Sequence, residues 1–277
     1  MRIVAAFICI SLFLVSCQKE VDYANGGNGG GGNSEPILKK IVSKSGSDSS
    51  VLVFGYNSAR KLMTLDLIDE SGGTSAVTNE RVERNSQGII QKLIVKSDQY
   101  QQYGIDSVVT MVGYASGRYI SKLTVFDLGV FIVKDSVSLA YDANGKVATE
   151  RTFDDLGTGS YDETGKAEYT YSGSNMATIK YYSFDASSSS YTLEETFTYD
   201  EYDNKISPMS VGNEAFIFDS PELYSFNNST KSSVTVTGSG AQTYAVTYTY
   251  NSSNRPLTAT SIIQPGNSTV TGTYYYQ

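Results

Sequence analysis

Histidine and tryptophan are absent from all 277 residues, and cysteine occurs only at Cys9 and Cys17. Without histidine, Ser-His-Asp and Cys-His catalysis are excluded, as are histidine-ligated metal sites. Acid–base chemistry would fall to carboxylates, lysine or tyrosine. Cys9 lies in an N-terminal apolar run, and removal of that run leaves no pair for a disulfide. A chain of this length buries enough core to be stable without one. Basic residues are outnumbered, 21 to 29, for a net charge of -8. Phosphate recognition needs a basic face, so nucleic acid is excluded as a partner. Tyrosine (22), phenylalanine (11) and glycine (25) are plentiful. Tyrosine, with the abundant threonine, suits half-exposed pleated surfaces, and glycine and asparagine suit turns, so the composition leans to β.

The N-terminus reads as an address. Met1 and Arg2 precede an apolar stretch from Ile3 to Val15. It is shorter than the roughly 20 residues a bilayer-spanning helix needs and fits a secretory signal over 1–16. Leu14-Val15-Ser16-Cys17 resembles the lipobox of bacterial lipoproteins, which implies cleavage before Cys17 and its acylation. Several acyl chains on Cys17 would anchor the chain firmly in the membrane. Gln18-Lys19-Glu20-Val21-Asp22 resembles the acidic export signals of Bacteroidota surface lipoproteins, although Val21 interrupts it. A solvated tether start accounts for the segment equally well. Residues 17–36 are rich in glycine, including Gly26-Gly27-Asn28-Gly29-Gly30-Gly31-Gly32, and form a flexible tether. Such a coil reaches about 25 Å, which would hold a domain over 37–277 just off the membrane.

A motif recurs along 37–277. It combines an aromatic residue, a polar residue, a small turn segment and a basic or polar residue, followed by apolar alternation. Copies begin at Tyr56, Arg84 (a degenerate copy without its tyrosine), Tyr114, Tyr141, Tyr171, Tyr199 and Tyr250. Spacings near 29 residues hold two strands and two turns. Tyr141-Asp142-Ala143-Asn144-Gly145-Lys146 is the clearest copy, because Asn-Gly accepts the positive φ of a tight hairpin. Alternation places Tyr244, Val246, Tyr248 and Tyr250 on one face. It groups Val133, Val137, Leu139 and Tyr141 likewise, and Tyr191, Leu193, Phe197 and Tyr199. The rhythm breaks near 203–230, a segment with Pro208 and Pro221 and with Phe216, Ile217, Phe218, Leu223, Tyr224 and Phe226. So many apolar residues must be covered, by the domain's own sheet or by a partner.

The Tyr-Asp-x-x-Gly-Lys turns resemble the YD repeats of RHS-type proteins. The layout of 37–277 resembles the repeat lipoproteins of Bacteroidota, including the DUF4595-type group. Tyr202-Asp203-Asn204-Lys205-Ile206-Ser207-Pro208-Met209 is the counterpart of a closing segment in that group, departing from it at Ser207 and Met209. The resemblance implies a fold and no activity.

Candidate chemistry is sparse. Asp142-x-Asn144 and Asp200-x-x-Asp203-Asn204 have part of a calcium-loop pattern, but Asp and Asn are ordinary turn residues. Asp154-Asp155 and Glu194-Glu195 are adjacent carboxylates, which on a strand point to opposite faces. No catalytic, cofactor or metal site is assigned, and Cys17 is the one site residue. The excess of tyrosine could stack on sugars, and Tyr181-Tyr182 and Tyr274-Tyr275-Tyr276 stand outside the repeat. A membrane barrel is disfavoured because the presumed outer faces carry Lys, Asp and Thr in place of an apolar band.

The expectation is an all-β antiparallel meander of roughly 14–16 strands, a curved open sheet or β-solenoid-like stack with one irregular insertion near 203–230. The expected role is that of a non-enzymatic outer-membrane lipoprotein, surface-exposed or periplasmic, presenting a binding or structural surface. The partner would be a glycan or another envelope protein, besides the membrane itself. A glycan-binding accessory of polysaccharide uptake is the alternative, and a carboxylate-based hydrolase is a distant third.

Overall fold

The structure, a computed structural model, describes residues 36–129 and 132–277. Cys17, the leader and nearly all of the tether lie outside the described residues. Sixteen strands follow one another along the described residues. The first half comprises β1 (Leu38–Ser45), β2 (Asp48–Tyr56), β3 (Leu62–Ser71), β4 (Thr74–Arg84), β5 (Ile90–Ser97), β6 (Val108–Ala115), β7 (Arg118–Asp127) and β8 (Ile132–Tyr141). The second comprises β9 (Val147–Asp155), β10 (Asp162–Ser172), β11 (Asn175–Asp185), β12 (Ser190–Ile206), β13 (Asn227–Val236), β14 (Ala241–Tyr250), β15 (Pro256–Gln264) and β16 (Ser268–Tyr276). Each strand pairs antiparallel with its neighbours in the chain. β1 also pairs β16, with Ile41 opposite Tyr274, so the sheet closes into a barrel. The expected meander is present, but the open sheet or solenoid is corrected. Closure leaves neither edge strand with unpaired backbone groups, the liability an open sheet would carry.

The recurring motif encodes the rim of this barrel. Asn57, Asn85, Asp142 and Asn251 each accept through Oδ1 from the backbone N–H two and four residues on, at 2.8–3.0 Å. The residue three positions on, Arg60, Gly88, Gly145 or Asn254, takes φ between 58° and 80°. The pairing register shifts beside Tyr56, Arg84, Tyr114, Tyr141, Tyr171, Tyr199 and Tyr250, the positions that open the copies. Bulges bend and coil a sheet, and repeated at one rim they favour closure.

Inward side chains at that rim lash each turn to the one before. The Tyr141 hydroxyl donates to the Tyr119 carbonyl (2.7 Å), Tyr171 to Val147 (2.6 Å), Tyr202 to Met176 (2.8 Å) and Tyr276 to Pro256 (2.8 Å). In the copy without tyrosine, Arg84 Nε donates to the Leu62 carbonyl at 3.2 Å. Much of the tyrosine excess is thereby a structural requirement. Gly145 has φ 79°, and a Cβ there would touch only the Arg118 guanidinium, at an ordinary 3.8 Å, so a larger side chain meets backbone strain more than a clash. Gly145→Val is expected to cost about 1–2 kcal/mol. An unchanged denaturation midpoint would refute the strain.

Apolar residues line the inside. Tyr244, Val246, Tyr248 and Tyr250 share one face, as expected, and it is the inner one. On the other face Thr247 and Thr249 of β14 pair with Thr260 and Thr258 of β15, which pair with Thr271 and Thr273 of β16. The grouping of Tyr191 and Leu193 with Phe197 and Tyr199 is corrected. Tyr181 lies opposite Glu195 but Tyr182 lies opposite Leu193, so a bulge at Glu194 turns Tyr191 and Leu193 outward. Charged side chains stand at mid-height on the outer wall, including Asp66, Arg81, Lys166, Glu168 and Lys180.

The irregular insertion is narrower than 203–230. β12 runs on to Ile206 and β13 starts at Asn227, leaving 207–226 to enter the lumen. It forms two short 3-10 helices, Gly212–Phe216 and Pro221–Tyr224, where proline and glycine break the alternation. Phe216 and Ile217 are fully buried among inward residues of β4 to β11, and Met209, Ala215 and Leu223 among those of β1 to β3 and β16. Side chains from around the barrel therefore meet on this plug. Phe216 and Phe218 do not share a strand face opposite Ile217, because the backbone is helical there. A single turn of α-helix, Asp98–Gln101, between β5 and β6 was also not foreseen.

Candidate functional site

The plug closes one end of the lumen, the end where the chain enters at Leu38 and leaves at Tyr276. Two ion pairs fix it to the wall. Arg84, in the degenerate copy, forms a bidentate pair with Glu214 at 2.7 and 2.8 Å, and the Tyr119 hydroxyl donates to the same carboxylate at 3.2 Å. Lys122 of β7 pairs with Asp219. The plug is also stitched to the β10–β11 turn: the Phe226 N–H donates to Asn175 Oδ1 (2.8 Å) and the Met176 N–H to Ser225 Oγ (2.9 Å).

Beyond the plug the lumen changes character. The Lys122 side chain is 2% exposed, whereas that of its partner Asp219, at the tip of the plug, is 75% exposed. Water therefore reaches the lumen at this level. Lys122 faces Asp219 of the plug, Glu150 (β9) and Asp135 (β8); Asp154 (β9) lies by Asp135, Glu80 (β4) and Glu222 of the plug by Asp219, and Glu195 (β12) by Tyr181. Register explains the convergence: Glu150 lies opposite Leu139, Asp154 opposite Asp135, and Glu195 opposite Tyr181, all in the inward phase. Lys122 Nζ lies 3.8 Å from Glu150, and the Tyr169 hydroxyl donates to Glu150 at 3.3 Å.

Burial raises the acids of this lumen, and neighbouring carboxylates add to the effect. Burial, reinforced by Asp219, lifts Glu80 to about 7. Burial, with Asp154 and Asp219, lifts Asp135 to about 6. Burial lifts Glu222 to about 8. Burial also raises Glu150, against the pull of Lys122. Burial pulls Lys122 down, but Asp219 and Glu150 outweigh it and hold the ammonium above its ordinary value. Glu80 Oε1, Asp135 Oδ1 and Glu222 Oε1 are buried with no hydrogen-bond partner.

Glu222, raised from an ordinary 4.5, binds more protons folded than unfolded. Its contribution to stability is therefore intact below about pH 4.5 and declines as pH rises towards 8. Glu222→Gln should match the wild type at pH 4.5 and be more stable at pH 9 by about 1–2 kcal/mol, less than the full shift implies, because a buried carboxylate draws in water. Parallel stability–pH curves for the two proteins would show that Glu222 does not titrate in this range.

Other residues singled out in the sequence prove structural. Asp142 organises its rim turn. Asp203 accepts from the Lys205 N–H (2.9 Å), the Asn228 N–H (3.1 Å) and Asn228 Nδ2 (2.9 Å), and also from Tyr250, bracing the foot of the plug. Asp154 and Asp155 do face opposite ways. Asp155 accepts three backbone N–H groups, from Gly157, Thr158 and Gly159, which together hold its carboxyl below the ordinary range. Tyr181 and Tyr274 point inward, and Tyr182 and Tyr275 outward. Among the described residues no three metal-ligating side chains converge on one point. The sequence reading missed Lys122, Glu80, Asp135 and the Arg84–Glu214 pair. The available signals were a lysine in the inward phase of β7 and an arginine where the other copies carry an aromatic residue.

The fold is similar to that of two solved proteins. A porin-like protein from Bacteroides uniformis shares 14% identity with a TM-score of 0.54, covering 87% of this chain and 98% of that one. A porin-like protein from Bacteroides vulgatus shares 11% identity with a TM-score of 0.53, covering 88% and 99%. At these identities the likeness is one of fold. No family model matches the chain, and no curated protein matches it in sequence. The resemblance to YD-repeat and DUF4595-type lipoproteins is thereby corrected. The tyrosine turns that suggested it are the rim turns of a closed barrel.

Proposed function

We propose that the chain is a lipid-anchored, non-enzymatic protein of the outer membrane, a plugged barrel standing in water whose lumen is a binding chamber open away from the tether. The observation that carries this reading is the reversal of a membrane pore's surfaces. The lumen is lined by aromatic residues and stopped at one end by the 207–226 plug, while Lys166, Glu168, Lys180, Arg81 and Asp66 stand at mid-height outside. A charged side chain facing lipid at the bilayer midplane costs about 2–4 kcal/mol for Lys or Arg, so several on one wall oppose insertion. Attachment then rests on Cys17, and the tether joins the barrel at its plugged end. Two measurements test this. The purified chain should give no stepwise conductance in planar bilayers, and Cys17→Ser should leave the membrane fraction for the aqueous one. Single-channel steps, or membrane retention of Cys17→Ser, would overturn the reading.

A second reading, glycan capture, has one observation in its favour. The bulge at Glu194 sets Tyr191 on the outer wall beside Tyr182 and Phe184, with ring centroids 6.5 and 5.0 Å away and Lys166 over the tyrosine rings. Aromatic faces of this kind stack on sugars. Retardation in polysaccharide affinity gels would support it, and unretarded migration across a panel of neutral and acidic glycans would dismiss it.

A further inference from the structure

We propose that the lumen beyond the plug binds a linear aliphatic polyamine, whose ammonium groups lie against the carboxyls of Glu80, Asp135, Glu195, Asp219 and Glu222. The inference deepens the reading of the lumen as a binding chamber and rests on it.

The charge balance there is one-sided. Carboxyls arrive from β4, β8, β9, β12 and the plug, and Lys122 is the cation among them, already engaged by Asp219 and Glu150. Charge alone does not make a site, because repelling carboxyls can take up protons. The orphaned oxygens are the independent sign. Glu222 is 8% exposed, and its Oε1 meets no donor. It lies close enough to Asp219, Tyr181 and Tyr199 to perturb each of them or be perturbed by it. Glu80 Oε1 and Asp135 Oδ1 are orphaned in the same way. A buried acceptor without a donor costs stability in the empty protein. Three of them around one water-reached lumen suit a ligand that brings donors.

The ligand class follows from the placing of the acids on separate elements. No three carboxyls converge tightly enough for a metal ion among the described residues. Groups on separate strands instead match ammonium groups separated along a flexible chain. Aromatic rings lie between the acids. Tyr181 packs edge-on against Phe197 at 5.9 Å, with Tyr199 on the same inward face. Such rings accept methylene segments and attract ammonium charge by cation–π interaction. Glu222, raised to about 8 in the empty chamber, would ionise as an ammonium arrives, so binding would release a proton to solvent.

The test is calorimetric titration of the full chain in detergent with spermine, at pH 7.5, in phosphate and in Tris. Saturable binding is expected, with heats that differ between the buffers by the released proton. Glu222→Gln and Asp135→Asn should each bind about tenfold more weakly. Glu222→Gln also guards against misfolding, since it is expected to be at least as stable as the wild type. Butylamine and MgCl2 at matched charge should not displace spermine. Displacement by MgCl2 would reveal a diffuse ion atmosphere and overturn the proposal, as would unchanged affinity in both variants. Absence of saturable binding in a chain that passes no current would overturn the polyamine and leave the plugged barrel standing. A chain that conducts would remove both.

Discussion

Phe216→Ala is expected to destabilise the protein by about 3–5 kcal/mol, read as a fall in the urea midpoint at unchanged slope. Phe216 has no exposed surface. Its ring meets Tyr169 edge-on at 4.9 Å and 75°, and lies 6.1 Å from Tyr224. Truncation would leave a cavity between plug and wall that neither can close. The wall is held by its ladder, and the plug by the Arg84–Glu214 and Lys122–Asp219 pairs. Edge-on aromatic contacts add to the area term. Ile217→Ala, equally buried, should cost about 2–5 kcal/mol. Phe218 is only partly buried, so Phe218→Ala should cost less than either. That ordering separates the helical plug from an extended segment, in which positions 216 and 218 would behave alike and 217 differently. A Phe216→Ala midpoint equal to the wild type would mean that the segment does not pack inside the barrel.

The rim was legible in the sequence because its determinants are local. Asp142, Asn144 and Gly145 specify a turn whose hydrogen bonds span four residues, and the same chemistry recurs at Asn57, Asn85 and Asn251. The faces of β14 were legible for the same reason, since Tyr244 to Tyr250 alternate without interruption. Closure was not legible. Hairpins with one period build an open sheet or a barrel alike, and the deciding contact, β1 against β16, joins opposite ends of the domain. The bulges that favour closure were in view as the tyrosine copies, but their effect on curvature accumulates only over many strands. The flip of Tyr191 and Leu193 depends on the single extra residue Glu194, which no alternation count exposes. The acidic chamber was hidden for a related reason. Glu80, Asp135, Glu195 and Glu222 are far apart in the chain and ordinary in local context, and become a cluster only when the barrel brings their inward phases together. Glu222 is on the page of the sequence as one acid among 29.

Arg84→Met should be the most destabilising substitution on the barrel wall, at about 3–5 kcal/mol. Arg84 replaces the aromatic residue of its repeat and takes over its task, donating to the Leu62 carbonyl at 3.2 Å and also to the Gly88 carbonyl at 2.9 Å. Its remaining donors hold Glu214 of the plug. The Arg84 side chain is nearly buried, so the pair is screened little by solvent. Methionine keeps the length and apolar stem but strands the Glu214 carboxylate with the Tyr119 hydroxyl as its remaining side-chain donor. A carboxylate left so in the lumen must take up a proton or draw in water, and either loosens the plug. Removing both charges together avoids that state. Arg84→Met combined with Glu214→Leu should therefore be more stable than Arg84→Met alone, while still lacking the Leu62 and Gly88 bonds. A double-mutant cycle checks this, with a coupling of about 1–3 kcal/mol expected between the two positions. Additive effects would show that Arg84 acts on the rim alone. Limited proteolysis supplies a second readout: with the latch broken, cleavage should appear first within 207–226, before any strand of the wall is cut. Cleavage that begins in the wall strands instead would mean that the plug is not held through Glu214.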